Sequence, residues 1–179
     1  TASATTLVLG STLVYDLQDN PGAEWTSPIL TTSPCGVVFL SEMGNQTNTL
    51  TLNGLPAHTQ VMVMFDLYIL RSWNGSVDDW EVRSPEPLRP PEGTRFIGPD
   101  RWNLLADGQT LLSTTFANHP LTGQAYPGAF PGSEVPPQTG AAATNQLCYT
   151  YLGLPMDSVY HLVFVFDHTR NGLALDFTA

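Results

Sequence analysis

The sequence predicts an all-β fold, a two-sheet antiparallel β-sandwich of the jelly-roll type with two long loops rich in proline and glycine. Three observations support this prediction. Short segments alternate apolar and polar residues, turn residues separate these segments, and no stretch shows the period of an amphipathic helix. About nine strands of this kind are enough for two stacked sheets. A chain of 179 residues is therefore predicted to form one domain over residues 1–179.

Each predicted strand is marked by its alternation or by the turn that follows it. Residues 1–17 are predicted as an extended N-terminal strand. Residues 60–70 carry apolar side chains on both faces, which predicts a strand at the centre of a sheet. Turn residues 169–172 join two alternating segments into a C-terminal hairpin. In chain order, the predicted strands are residues 5–17, 36–41, 47–52, 60–70, 101–106, 109–116, 146–152, 159–168 and 173–177.

Two long connections interrupt these strands, at residues 72–99 and 117–140. The first is rich in proline and charge, and the second is rich in proline and glycine. Proline removes a backbone donor, so residues 72–99 cannot form a central strand. Loops of this length inside a compact domain are typically functional or disordered.

The charge composition excludes several classes of partner. Only 12% of the residues are charged, all six basic residues are arginines, and the net charge is −10. Such a chain is not expected to bind nucleic-acid phosphates or anionic lipid. No apolar run reaches the ~20 residues of a membrane-spanning helix, so no membrane insertion is expected. Because the chain starts at Thr1 without a leader, we expect a mature product or an excerpt.

Cysteines and glycosylation sequons indicate an extracellular or cell-surface location. Cys35 and Cys148 are the only cysteines, and they either form a disulfide or remain two separate buried thiols. Asn45 and Asn74 each begin an Asn-X-Ser/Thr sequon and are the predicted N-glycosylation sites.

Five separated segments form one pattern. They read Phe-Asp-Leu-Tyr-Ile-Leu-Arg-Ser-Trp-Asn-Gly at 65–75, Gly-Pro-Asp-Arg-Trp-Asn-Leu at 98–104, Asp-Gly-Gln-Thr-Leu-Leu-Ser-Thr-Thr-Phe at 107–116, Tyr-Pro-Gly at 126–128, and Asp-Ser-Val-Tyr-His-Leu-Val-Phe at 157–164. The pattern resembles a β-sandwich module of secreted and cell-surface multidomain proteins. The resemblance implies a jelly-roll-like fold outside the cell and carries no established activity. The chain departs from it by a longer insert between Gly75 and Gly98. It also has Asn74 in place of an acidic residue, which weakens a metal role for that loop.

An acidic cluster near the N-terminus is a candidate calcium site. Asp16, Asp19 and Glu24 lie close together in sequence, and Asp176 lies in the last predicted strand. The first and last strands of a jelly roll usually adjoin, and calcium binds six to eight oxygen ligands. The alternative is an acidic turn on a solvated surface.

Asp66 interrupts the apolar strand at residues 60–70. A buried carboxylate needs a partner, and the candidates are Arg71, Arg101, backbone amides or a calcium ion. Asp100 is a candidate co-ligand if its strand adjoins that of Asp66. A structural ion pair or hydrogen bond is the alternative to a calcium site.

Aromatic residues in loops or at strand ends suggest a glycan-binding platform. Exposed aromatic faces stack on sugar rings, and nearby Asn and Asp side chains bind hydroxyl groups. Aromatic residues at these places also cap the core of a sandwich or form contacts between subunits. The candidates are Trp73, Asn74, Trp80, Trp102 and Tyr126.

Motifs of known enzyme classes are absent from the sequence, so we expect a non-catalytic protein that requires no cofactor. The sequence favours a structural or adhesive module whose partners are copies of itself or neighbouring surface modules. Low charge, long loops and an N-terminal segment able to add a strand to a neighbour support this interpretation. The alternative is a lectin-like module that binds polysaccharide and is stabilised by calcium.

Overall fold

The computed structural model describes residues 5–8, 11–14, 21–40, 42–76, 99–151 and 153–179, the first two ranges as backbone only. These residues form strands and loops and no helix. The strands are β1 (Thr5–Val8), β2 (Ser11–Val14), β3 (Leu30–Thr32), β4 (Val38–Leu40), β5 (Thr47–Asn53), β6 (Gln60–Leu70), β7 (Arg101–Ala106), β8 (Gln109–Thr115), β9 (Ala143–Thr144), β10 (Thr150–Tyr151), β11 (Leu154–Pro155), β12 (Asp157–Asp167) and β13 (Gly172–Thr178).

Two main antiparallel sheets contain most of these strands. The five-stranded sheet A has the order β2-β1-β6-β12-β9, and the four-stranded sheet B has the order β5-β13-β7-β8. The all-β fold and the central place of residues 60–70 are therefore confirmed, whereas the jelly-roll connectivity stays a prediction. The expectation that the first and last strands adjoin is wrong, because β1 pairs with β6 in sheet A and β13 lies in sheet B.

The core lies between the sheets and is rich in aromatic rings. Alternate residues of β6 point into it, so that Val61, Val63 and Phe65 are buried. Phe65 contacts Phe177 of sheet B at a ring-centroid distance of 5.3 Å. Because both sheets contribute buried side chains to one cluster, burial of this apolar surface holds them together.

Residues 117–140 are ordered by buried amide side chains. The side-chain oxygen Oε1 of Gln124 accepts three hydrogen bonds. Their donors are the backbone N–H groups of Ala117 and Gln138 and the hydroxyl group of Tyr160. The side-chain NH₂ of Asn118 donates to the carbonyl of Ile69 in β6. Since these amides are paired with the sandwich, the predicted loop is a packed part of the domain.

Gly75 marks a close approach between this loop and the start of the connection at residues 72–99. A Cβ atom on Gly75 would lie 2.5 Å from the carbonyl oxygen of Gly123 and 2.8 Å from that of Phe116. Only glycine fits there without movement of the backbone.

Two predicted strands differ in the structure. The described part of residues 1–17 forms two strands, β1 and β2, paired with each other, and not one extended strand. Residues 146–152 were predicted as a strand, but among the described residues 146–151 only Thr150–Tyr151 is strand. The buried carboxylate of Asp157 accepts the N–H groups of Gln146, Leu147 and Tyr149 and so takes donors that a strand would have used.

The predicted disulfide between Cys35 and Cys148 is confirmed. Both residues are exposed and lie in loops. The bond closes a sequence separation of 113 residues. A small apolar cluster that contains Phe39 and Leu147 lies near it, separate from the main core.

Candidate ligand-binding cleft

A cleft with a volume of about 950 Å³ opens at the end of the sandwich where β6 ends and β7 begins. Its walls come from both sheets, because residues 65–70 belong to sheet A and residues 101–103 and 177–178 belong to sheet B. Ligand sites of small molecules commonly have volumes of about 300–1,000 Å³. The cleft is therefore large enough to hold one.

Aromatic side chains line much of this cleft. Trp73 and Tyr68 are half-buried, so each keeps part of its surface accessible. Trp73 packs against the main core, which contains the buried Phe65 and Trp102, whereas Tyr68 packs against Phe39 of the small cluster. The Nε1–H of Trp102 is buried and has no hydrogen-bond acceptor among the described residues. The aromatic surface that the cleft offers to a ligand is therefore that of Trp73 and Tyr68.

Asp100 supplies a half-buried carboxylate to the cleft. Its Oδ2 accepts the N–H of Asn74 at 2.8 Å, and its own N–H donates to the Asn74 carbonyl at 2.7 Å. These two bonds hold together the two ends of the connection at residues 72–99. Burial raises the pKa of Asp100, while the hydrogen bond from Asn74 opposes that rise. Asp100 can accept hydrogen bonds from ligand hydroxyl groups.

Two arginines at the cleft are held by aromatic rings. Arg71 follows β6, forms an ion pair with Glu42 and lies 5.2 Å from the ring centroid of Tyr149. Arg101 lies 4.4 Å from the ring centroid of Phe130. Cation–π contacts of this kind fix a guanidinium group in place while leaving its N–H groups able to donate.

Asp66 has a partner that the sequence did not predict. Its Oδ1 lies 2.5 Å from Nδ1 of His161, which is directly opposite on β12. The predicted partners were Arg71, Arg101, backbone amides or a metal. Asp66 keeps 36% of its side-chain surface exposed, because it lies on the outer face of sheet A and not in the core.

The residues predicted to bind glycan lie in different parts of the structure. Trp73 lines the cleft. The backbone N–H of Asn74 donates to Asp100, which also lines the cleft. Trp102 is only 1% exposed, so it is a core residue and not an exposed platform. Tyr126 lies elsewhere and packs on Phe116 and Tyr160, and burial raises its pKa. Trp80 lies outside the described residues.

The predicted calcium ligands are only partly placed. Asp16 and Asp19 lie outside the described residues. Glu24 lies beside β5, since its carbonyl accepts the N–H of Thr51, and Asp176 on the neighbouring β13 accepts the Thr49 hydroxyl at 2.6 Å. No group of three potential ligand residues occurs within the described ranges. Calcium stays a prediction of the sequence.

The two sequons differ in accessibility. Asn45 is exposed and has a positive φ of 57° in the turn before β5. Asn74 is half-buried, and its Oδ1 accepts the N–H of the buried Ser76 at 3.2 Å. Asn45 is therefore the more accessible of the two acceptors.

Tyr68 and Arg71 were not predicted as members of a binding site. One feature of the sequence could have indicated them, because both lie at the end of the predicted central strand, just before the long connection at residues 72–99. Tyr68 was assigned to one apolar face of that strand, and Arg71 was considered only as a partner for Asp66.

Comparisons with protein-family models, with curated proteins and with solved structures produced no match. Within the described part of the chain, no helix is long and apolar enough to cross a membrane.

Proposed function

We propose that this domain is a non-catalytic extracellular binding module whose cleft takes an uncharged carbohydrate. The observation that carries this proposal is the combination of accessible aromatic surface on Trp73 and Tyr68 with the carboxylate of Asp100 in one cleft. A sugar ring presents an apolar face that stacks on aromatic rings and hydroxyl groups that bind carboxylates. The net charge of −10 disfavours anionic polysaccharides.

An extracellular location supports this function. The exposed Cys35–Cys148 disulfide is of the kind that persists in oxidising compartments. The exposed Asn45 sequon is compatible with glycosylation there.

Retention on immobilised neutral polysaccharides, followed by calorimetry with the oligosaccharide that binds, tests the proposal. Trp73→Ala should weaken binding at least about tenfold, which is ~1.4 kcal/mol, because it removes a stacking surface. Tyr151→Ala is the matched control, since it removes a half-buried aromatic residue outside the cleft. Melting temperatures establish that both variants fold.

Three results would contradict the proposal. They are no retention on any neutral polysaccharide, retention on anionic polysaccharides alone, and equal binding by the wild type and a folded Trp73→Ala variant.

A second candidate function is that of a structural or adhesive module that associates with copies of itself. The edge of β12 favours it, because among the described residues no strand pairs with this edge beyond Val159, next to the exposed Val163 and Val165.

A further inference from the structure

One edge of β12 is largely open. On one side, β12 pairs with β6 over its full length, from Asp157 to Asp167. On the other side, β9 pairs only with Ser158 and Val159. Within the described residues, the stretch 160–167 therefore has no strand partner on that side.

Backbone hydrogen bonds show which residues point their polar groups at the open edge. The carbonyl of Asp157 accepts the N–H of Asn145, and the carbonyl of Val159 accepts the N–H of Ala142. Both bonds lie on the side of β12 away from β6. Since the direction alternates along an antiparallel strand, His161, Val163, Val165 and Asp167 direct their N–H and C=O groups to the same side. In the part of the chain that the structure describes, no strand pairs with these backbone donors and acceptors.

The side chains of the same residues are accessible on the outer face of sheet A. Val163 is 56% exposed and Val165 is 59% exposed. Met64 and Met62 lie opposite them on β6 and are half-buried. Natural sheets usually protect an edge with lysine, proline or a bulge. The stretch 160–167 has none of these protections.

We propose that a second copy of this chain adds its own β12 to this edge, antiparallel, so that the two A sheets become continuous. The alternation restricts the register, because odd-numbered residues must lie opposite odd-numbered residues for their backbone groups to pair. The register that uses the whole stretch 161–167 places Val163 opposite Val165 of the second copy. It also places His161 opposite Asp167 of the second copy.

The side chains are complementary in this register. His161 and Asp167 are both exposed on the outer face, and a twofold axis at residue 164 brings them together twice. Nδ1 of His161 is bonded to Asp66 of the same copy, so Nε2 is the ring atom that faces Asp167 of the second copy. An imidazolium ring can donate to two carboxylates, one from each nitrogen, and opposite charges on directly facing residues stabilise strand pairs. Four valines then cover one another between the two His–Asp pairs. The inference rests on residues of β12 and does not depend on carbohydrate binding in the cleft.

Cysteine cross-linking tests the register. Facing residues of this type have Cα atoms about 5.5 Å apart, within the range that a disulfide spans. His161→Cys and Asp167→Cys variants, mixed under mild oxidation, should yield a disulfide-linked heterodimer. Neither variant alone should cross-link through its new cysteine, since two copies of the same residue lie about 20 Å apart. Peptide mapping distinguishes the new bond from Cys35–Cys148.

Sedimentation equilibrium tests the association itself. Because one strand and four valines form a small interface, the wild-type chain should dimerise in the micromolar range. Val165→Pro removes an N–H that points to the open edge and fixes the φ angle of that residue. Val165→Lys keeps the N–H but places a charged side chain opposite Val163 of the second copy and brings the two lysines to diagonal positions. Each should raise the dissociation constant at least about tenfold. Val165→Thr is the matched control and should remain dimeric.

Several outcomes would overturn the inference. A wild-type chain that is monomeric at ~1 mM, or a dimer that persists in both folded Val165 variants, rules out this edge. Cross-linking by either single cysteine variant alone, or no cross-link in the mixture, rules out the register.

Discussion

The carboxyl group of Asp100 ionises less readily in the folded protein than in the unfolded chain. Burial raises the pKa of its carboxyl group above the value in the unfolded chain. The native state therefore favours the neutral acid, and the stability from this site is present at low pH and lost as the pH rises through the folded pKa.

Asp100→Asn is neutral at every pH and keeps an oxygen that can accept the N–H of Asn74. We therefore expect the variant to gain stability relative to the wild type as the pH rises from ~3 to ~7. Melting temperatures of both proteins at several pH values measure this gain. A difference between the two proteins that does not change with pH would contradict the expected effect of burial.

Asp66 shows what sequence alone could not determine at the scale of one residue. Its position in an apolar strand suggested a buried carboxylate, which is wrong, because Asp66 lies on the outer face of sheet A with 36% of its side chain exposed. Its partner is His161, which is 95 residues away in sequence and faces it across a strand pair. Strand register is a non-local property, so local spacing suggested the nearer Arg71 and Arg101.

Three turns meet at the end of the sandwich opposite the cleft. Nδ1 of His58 lies 2.5 Å from the Pro56 carbonyl, Nε2 of His58 lies 2.6 Å from Nδ1 of His168, and Nε2 of His168 lies 3.1 Å from Asp107. Because a carbonyl and a carboxylate accept, His58 donates from Nδ1 and His168 donates from Nε2. This chain of bonds links three turns that lie far apart in sequence.

His168→Ala should destabilise the protein by about 2–4 kcal/mol, because it leaves a cavity and removes the partner of the buried His58 and one partner of the partly buried Asp107. Urea denaturation measures the loss. Arg170→Ala is the matched control, because Arg170 also contacts Asp107 but its side chain is 66% exposed. This control should cost less than about 1 kcal/mol. Equal losses in the two variants would show that the histidine pair contributes no more than a surface ion pair.

Elements with regular alternation were predicted well, and those shaped by buried polar groups were not. The bounds of β6 and β7 match the predicted residues 60–70 and 101–106. Residues 146–152 alternate too weakly to reveal that Asp157 would take their N–H groups. Likewise, nothing local in residues 117–140 shows that Gln124 would pair with Tyr160 in β12.

At the scale of the whole molecule, the two ends of the sandwich differ. One end is closed by the pair His58–His168, and the other opens into the cleft. The sequence placed Trp73 and Asp100 among the candidates for a site, and the structure brings both to this cleft. Trp73 and Asp100 lie close together because of how the two sheets stack. Local sequence patterns do not specify that stacking.

The Cys35–Cys148 bond links two loops across a sequence separation of 113 residues. A covalent link of this length reduces the conformational entropy of the unfolded chain, which corresponds to about 4–5 kcal/mol of native stability. We expect the double variant Cys35→Ser/Cys148→Ser to lose about that much free energy of unfolding while keeping the wild-type circular dichroism spectrum. Urea denaturation of both proteins measures the difference, and reduction of the wild type with dithiothreitol should reproduce it. Because both cysteines are exposed, the substitutions themselves leave no buried cavity. A loss below about 1 kcal/mol would mean that packing of the sandwich already restricts the same loops.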